Sequence, residues 1–184
     1  MSVQVAPSIL AADFLHLEKD VRLVNETGDI FHLDIMDGTL VPNISFGFSV
    51  VDQIAAVAER PMDAHLMVVH PERWFEKLHQ DGVRMVSFHL EAAGCRTAFF
   101  IDKLHSLGIK AGVAIDPNIP VKRLFKYVDK ADYFLIMSVF AGFGGQKFIY
   151  ETIDRVQALK AEIARRNSKA LVEIDGGVTL ENVA

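Results

Sequence analysis

The sequence predicts an α/β fold, specifically a (β/α)₈ TIM barrel, and three observations carry the prediction. Short apolar runs alternate with longer amphipathic ones along the 184 residues, the pattern of βαβ units and a parallel sheet. The short runs are almost continuously hydrophobic, as strands covered on both faces must be. His32, Asp34, His65, His89, Ser138 and Asp175 fall at the ends of those runs, just before the following loop. A barrel gathers its functional side chains at the C-terminal ends of several strands. An open doubly wound sheet would concentrate them near one switch point, typically after the first strand. Here the first run leads into Pro7-Ser8-Ile9-Leu10-Ala11-Ala12-Asp13, which holds no glycine fingerprint.

Each element has its own signal. The first strand is expected over 3–8, with Asp13 placed to cap a helix over 13–27. A strand over 30–36 and a helix over 49–59 follow. The next pair is a strand over 62–67 and a helix over 71–81, where Pro71 suits the first helical position and Gly82 marks the end. A strand over 85–89 precedes a helix over 96–107, closed by Gly108. Strands over 110–115 and 133–138 flank a helical stretch over 120–128. A helix over 151–166 leads into a seventh strand over 170–175, and Leu180-Glu181-Asn182-Val183-Ala184 reads as the opening turn of another helix.

Seven strands are countable rather than eight, so residues 1–184 read as one barrel domain truncated after the seventh strand. Such barrels typically run to about 250 residues and at least about 200. A seven-strand arc would also leave two apolar edges exposed. On this reading the 184-residue piece alone would be inactive or poorly folded.

Bulk properties narrow the function classes. A net charge of −5 with no Lys/Arg run argues against nucleic acid as a main partner. An anionic ligand would then have to be held locally, by backbone amides. A single cysteine, Cys95, forms no internal disulfide, which points to a reducing, cytoplasmic setting. No stretch reaches the ~18 apolar residues of a membrane span, and the N-terminus lacks a secretory pattern.

The chemistry starts from strand periodicity. Alternate residues share a face, so His32, Asp34 and Met36 point one way, as do Asp63, His65 and Met67. Glu173 and Asp175 end the seventh run. His32, Asp34, His65 and Asp175 could therefore converge at the barrel mouth from three strands. Taken singly, a histidine on an apolar strand is usually a hydrogen-bonded core residue, and a lone aspartate often caps a helix. Together, two histidines and two aspartates on buried strands have no cheap structural explanation, because unpaired buried charge is expensive. The set suits one divalent metal ion: Zn²⁺, Fe²⁺, Mn²⁺ or Co²⁺.

Glycine and methionine supply the surroundings. Gly142-Phe143-Gly144-Gly145 and Gly176-Gly177 follow the last two strands, where backbone N–H groups can approach an anion. Barrel phosphate sites use such late loops, although either segment alone could be a tight turn. Met36, Met67 and Met137 each end a strand. Any one is ordinary core filling, and as a group they could shield a carbanion-like intermediate from water.

These blocks, taken together, resemble the ribulose-phosphate 3-epimerase family. The resemblance rests on Ala6-Pro7-Ser8-Ile9-Leu10-Ala11-Ala12-Asp13, on His32-Leu33-Asp34-Ile35-Met36-Asp37-Gly38 and on Val41-Pro42-Asn43. It continues through Asp63-Ala64-His65-Leu66-Met67, Phe88-His89-Leu90-Glu91, Met137-Ser138-Val139, the run from Gly142 to Ile149, and Glu173-Ile174-Asp175-Gly176-Gly177-Val178. It implies that His32, Asp34, His65 and Asp175 bind one metal ion, with Asp34 and Asp175 as the acid/base pair on opposite faces of the substrate. It further implies that Ser8 contacts sugar hydroxyls, that the glycine loops hold phosphate, and that the three methionines line the reacting carbons. The implied reaction interconverts D-ribulose 5-phosphate and D-xylulose 5-phosphate in the pentose phosphate pathway, in a homo-oligomer.

Two departures from the family pattern stand near the expected pocket. Phe140-Ala141 replaces an Asn-Pro pair, and Asp116-Pro117-Asn118-Ile119-Pro120 replaces Asn-Pro-Ala-Thr-Pro. A 3-epimerase for D-allulose 6-phosphate would share the four ligands and stays open at this stage. A decarboxylase of the Asp-x-Lys-x-x-Asp kind is disfavoured, because His65 and Val68 stand at the Lys and second Asp positions. Schiff-base chemistry lacks a strand-end lysine, since Lys147 lies past the glycine loop. A non-catalytic sugar-phosphate sensor would be expected to have lost Asp34 or Asp175, and both are present. His16, His70, His79 and His105 sit on helices or loops, while His89 reads as a neighbour of the ligands rather than a ligand.

Overall fold

The computed structural model describes residues 3–183. Its centre is one parallel sheet of six strands in sequential order: β1 (Phe31–Met36), β2 (Met62–Met67), β3 (Met85–His89), β4 (Lys110–Ile115), β5 (Tyr133–Met137) and β6 (Leu171–Asp175). Helices fill the crossovers: α1 (Leu17–Thr27), α2 (Phe48–Ala55), α3 (Phe75–Gln80), α4 (Leu90–Ala93), α5 (Thr97–Ser106) and α6 (Thr152–Arg165). Strictly sequential order with parallel pairing is what a winding barrel requires and a doubly wound sheet forbids.

The two faces of each strand belong to different packing units. Phe31, Leu33 and Ile35 of β1 join the large cluster beneath the helices, as do Ala64 and Leu66 of β2 and Phe134 and Ile136 of β5. The alternate residues Met36, Met67, Leu135 and Met137 pack in two small clusters on the other face. Period-two alternation therefore sends the helix-facing side chains into a continuous apolar layer and leaves the inner face for His32, Asp34 and His65. Phe75, Phe88 and Phe100 lock that outer layer, with Phe100 meeting the other two rings edge-on at 5.8 and 5.5 Å. Each such buried side chain contributes roughly 1.5–3 kcal/mol.

The structure corrects several expectations. The strand expected over 3–8 is only a single bridge, Ser8 to His32, beside β1. His32 N–H donates to Pro7 O and Asp29 N–H to Val5 O, but Pro7 has no N–H to return. Six strands rather than seven are thus present among the described residues. Asp13 does not cap α1, whose first flanking residue is His16; its carboxylate instead accepts from Leu15 N–H and pairs with His16 Nδ1. The helix expected over 71–81 breaks at Trp74 into a 3₁₀ turn, Pro71–Arg73, and α3. The stretch expected over 120–128 winds as a 3₁₀ helix, Val121–Tyr127. The turn at 180–184 is present, with Val183 N–H bonded to Thr179 O, while Ala184 lies outside the described residues.

Candidate metal centre and sugar-phosphate pocket

Register assembles the site. Asp34 lies opposite His65 across β1 and β2, His32 opposite Asp63, and Met36 opposite Met67. At the far end of the sheet, Met137 of β5 lies opposite Asp175 of β6. The sheet is curled enough for side chains from its two ends to converge: Asp175 Oδ2 of β6 lies 3.9 Å from His32 Nε2 of β1 and 3.7 Å from His65 Nδ1 of β2. Asp34 Oδ1 lies 3.1 Å from His65 Nδ1 and 3.4 Å from His32 Nε2. One ligand atom from each of the four residues falls within 4.8 Å of all the others.

The residues present fit a divalent cation. His32 Nε2 is buried and has no hydrogen-bond partner, yet it faces two carboxylates. Two imidazole nitrogens and two carboxylates form a mixed N/O donor set suited to zinc and its first-row neighbours. The other ring nitrogens are already committed. His32 Nδ1 meets Asp63 Oδ2 at 3.0 Å, and His65 Nε2 meets His89 Nε2 at 2.9 Å. Metal-binding histidines are oriented through this kind of second nitrogen contact. His89 thus packs against His65 and lies outside the group of four.

The two aspartates occupy opposed environments. Burial alone would raise the Asp34 carboxyl, but the charge and hydrogen bonds of His32 and His65 outweigh it and hold it well below the usual carboxylate range. The Ser8 hydroxyl adds a donor, reaching Asp34 Oδ2 at 2.5 Å. Asp175 shifts the other way: burial raises its carboxyl, and the Asp34 charge helps to offset the imidazoles. His32 is held well above the usual imidazole value; burial opposes its charged form, and Asp34, Asp63 and Glu173 more than compensate. A carboxylate pair whose environments pull their pKa values apart is a recurring acid/base arrangement.

Above this floor opens a cavity of about 550 Å³, lined by Ser8, Asp34, Met36, Met67, Met137, Phe143 and Asp175. Gly142, Gly144, Gly145, Gly176 and Gly177 form its far wall. His32 and His65 sit beneath the floor and are almost wholly buried. Gly142, Gly145, Gly176 and Gly177 all have positive φ. A Cβ on Gly177 would lie 2.6 Å from Phe148 N, so the two glycine loops touch through backbone where only glycine fits. Asn43 ties the first of them down, donating from Nδ2 to Gly142 O at 2.7 Å.

The two departures from the family pattern meet in space. Ala141 N–H donates to Asp116 Oδ1 at 3.1 Å, a bond that proline at position 141 could not make. Asp116 N–H in turn bonds Glu91 Oε1, and Arg155 holds the Asp116 and Met137 carbonyls from α6. Ser138 bridges β5 and β6 by bonding Asp175 O, a structural role, and Lys147 is exposed outside the pocket lining. Sequence reasoning missed the packing of Tyr133, whose phenol donates to Asp63 Oδ1 at 2.5 Å.

The sequence pattern of the Ribulose-phosphate 3 epimerase family matches residues 4–184. A ribulose-phosphate 3-epimerase of Mycobacterium tuberculosis is 40% identical over 183 residues, covering 98% of this chain and 79% of that protein. A Bacillus subtilis ribulose-phosphate 3-epimerase is 38% identical over 183 residues, covering 97% of this chain and 83% of the relative. Among solved structures, a mutant tryptophan synthase α-subunit of Pyrococcus furiosus superposes with a TM-score of 0.66 at 14% identity, covering 96% of this chain and 80% of the other. A type I 3-dehydroquinate dehydratase of Clostridium difficile gives 0.63 at 12% identity, over 93% and 74% of the two chains. At such identities these structures speak for the barrel fold alone.

Proposed function

The chain belongs to the ribulose-phosphate 3-epimerase family, and from that premise we propose that it interconverts D-ribulose 5-phosphate and D-xylulose 5-phosphate by passing the C3 proton between Asp34 and Asp175. The observation that carries this reading is the convergence of two carboxylates, Asp34 of β1 and Asp175 of β6, at one cavity floor. Inverting a carbon requires removal of its proton on one face and return on the other, so one acid/base group cannot suffice. Asp34, kept ionised by His32 and His65, suits the base that begins turnover in one direction. Asp175, which lines the same cavity from β6, suits the partner group that returns a proton.

His32, Asp34, His65 and Asp175 would hold one divalent ion, from Zn²⁺, Fe²⁺, Mn²⁺ or Co²⁺. When bound, it supplies a Lewis acid that favours negative charge on the substrate's oxygens next to C3. The residues of the chain do the rest. Asp34 and Asp175 hold or accept the proton, and Ser8 keeps Asp34 turned toward the pocket through Oδ2. Met36, Met67 and Met137 present polarizable, buried surface that excludes water from an enediolate. The glycine loops offer backbone N–H groups to the phosphate, in keeping with the absence of a basic surface run.

The test is conversion of D-ribulose 5-phosphate by the intact purified protein, before and after chelation. Activity lost on chelation and restored by one of the four ions is the expected result. A metal-loaded protein that turns over D-allulose 6-phosphate but not the pentose phosphate would overturn the substrate assignment. Binding of sugar phosphate without turnover of either would overturn the enzymatic mechanism.

A further inference from the structure

We infer that Tyr133 is a positioning residue for His32: seated over Gly112, it orients Asp63, which in turn aims the free edge of the His32 ring at the other ligands. The inference rests on the metal-site reading above and adds residues from β4 and β5 to a ligand set drawn from β1, β2 and β6.

The argument begins with a glycine inside a strand, a placement that marks close approach of another group. Gly112 of β4 lies opposite Tyr133 of β5 in the parallel register. A Cβ on Gly112 would stand 2.3 Å from the Tyr133 ring, so the missing side chain is the notch in which the ring lies. From there the phenol crosses the inner face and donates to Asp63 Oδ1 of β2 at 2.5 Å. The other oxygen of the same carboxylate, Oδ2, meets His32 Nδ1 of β1 at 3.0 Å. The remaining ring nitrogen, Nε2, is the buried, unpartnered atom that faces Asp34 and Asp175.

Every link is out of water. Tyr133, Asp63 and His32 are 1, 0 and 2% exposed, so no solvent molecule substitutes cheaply for a lost partner. Burial and the neighbouring Asp63 carboxylate push the Tyr133 phenol well above its usual pKa, which keeps it a donor. With one oxygen tied to the phenol, Asp63 presents the other in a single orientation. An acceptor at Nδ1 fixes the His32 tautomer with its proton there, leaving the Nε2 lone pair for a cation. Glu173 Oε1, 3.4 Å from His32 Nδ1, is a competing acceptor on β6, so the Tyr133–Asp63 bond also decides which carboxylate the ring answers to.

The experiment titrates metal-free intact protein with Co²⁺, reading affinity and the visible d–d spectrum together. Tyr133→Phe keeps the ring in its notch and removes only the hydroxyl. Loss of an orienting partner typically weakens metal affinity about 10- to 100-fold. We expect a drop of that size with an altered Co²⁺ spectrum, and a fall in kcat that exceeds any rise in KM. Asp63→Asn is the second variant. Adding Tyr133→Phe to it should weaken Co²⁺ binding by less than about twofold more, because the two groups act in series. A Tyr133→Phe protein with unchanged Co²⁺ affinity and spectrum overturns the inference and leaves the metal reading standing. Independent, multiplying losses in the double variant overturn it too. If the unsubstituted protein binds no Co²⁺, both the metal reading and this inference fall.

Discussion

Asp175→Asn separates a proton-transfer role from a structural one, because the structure assigns very different magnitudes to each. The Asp175 carboxylate reaches His65 Nδ1 at 3.7 Å and His32 Nε2 at 3.9 Å, both too long for hydrogen bonds. Its backbone carbonyl, which accepts from Ser138 N and Oγ, is untouched by the substitution. Burial already disfavours its charged form, so a neutral amide of the same shape relieves desolvation. In the metal-free protein the change in unfolding free energy should therefore stay within about 1 kcal/mol. A positioned general acid or base contributes roughly 10²–10⁴ in rate, which is about 3–5.5 kcal/mol of barrier. The assay follows epimerisation beside exchange of the C3 hydrogen in D₂O by NMR, on metal-loaded protein of known unfolding midpoint. Epimerisation should fall at least a hundredfold while one epimer, the substrate facing Asp34, still exchanges its C3 hydrogen. Epimerisation within threefold of the unsubstituted enzyme, or equal exchange from both epimers, would refute the two-carboxylate reasoning.

Three further outcomes follow from the same geometry. Ser8→Ala removes a donor from an ionised carboxylate, worth about 1.5–3 kcal/mol; kcat/KM should fall at least about tenfold, and a change under twofold in steady-state assays would contradict the role given to Ser8. Gly177→Ala must accommodate a Cβ at φ +62° and 2.6 Å from Phe148 N, so KM for the sugar phosphate should rise several-fold with metal content unchanged, as kinetics and elemental analysis can check. His32, held above its usual pKa of 6.5, must lose its proton to bind a cation, so apparent metal affinity should climb as pH rises through and beyond that value. The sign is opposite for the metal-free fold: the stabilisation His32 contributes is complete below its unfolded pKa and disappears as pH rises through the higher folded one. Calorimetry in buffers of different ionisation heat reads the released proton, and pH-independent affinity between pH 6 and 8 would contradict the assignment.

Much of this was legible in the chain because strands announce their inner face two residues at a time. β2, β3 and β4 fall on the predicted bounds, and His32/Asp34 and Asp63/His65 point inward as spacing requires. The first strand was not legible as wrong, since Val3 and Val5 read as apolar strand, yet Pro7 deprives the segment of ladder donors. Asp13 looked like a helix cap because composition cannot tell a helix start from the turn before it. Tyr133 and Gly112 escaped for a different reason. The phenol contact spans 70 residues and exists only once the sheet curls. The glycine inside β4 was the available signal, as an interior strand glycine marks close approach.

The curl also explains why these residue types sit at the ends of the sheet. β1 and β6 are the two ends of the six-stranded order, yet Glu173 and Asp175 of β6 both reach His32 of β1, at 3.4 and 3.9 Å. These long-range contacts are made by ionisable side chains rather than by apolar ones, an expensive choice. Burial raises the carboxyls of both β6 residues, that of Glu173 to about 7. Packed aliphatic residues at these positions would be at least as stable, since buried ionic groups rarely outperform hydrophobic replacements. What aliphatic residues cannot do is present two carboxylates of unequal proton affinity and two oriented imidazoles to one small volume. The crowding of Asp34, Asp175 and Glu173 around the His32 ring is unfavourable negative charge that a bound divalent cation would offset. On the proposed function, fold and function share one requirement: the cation that would make the chemistry available would also relieve the crowding around His32.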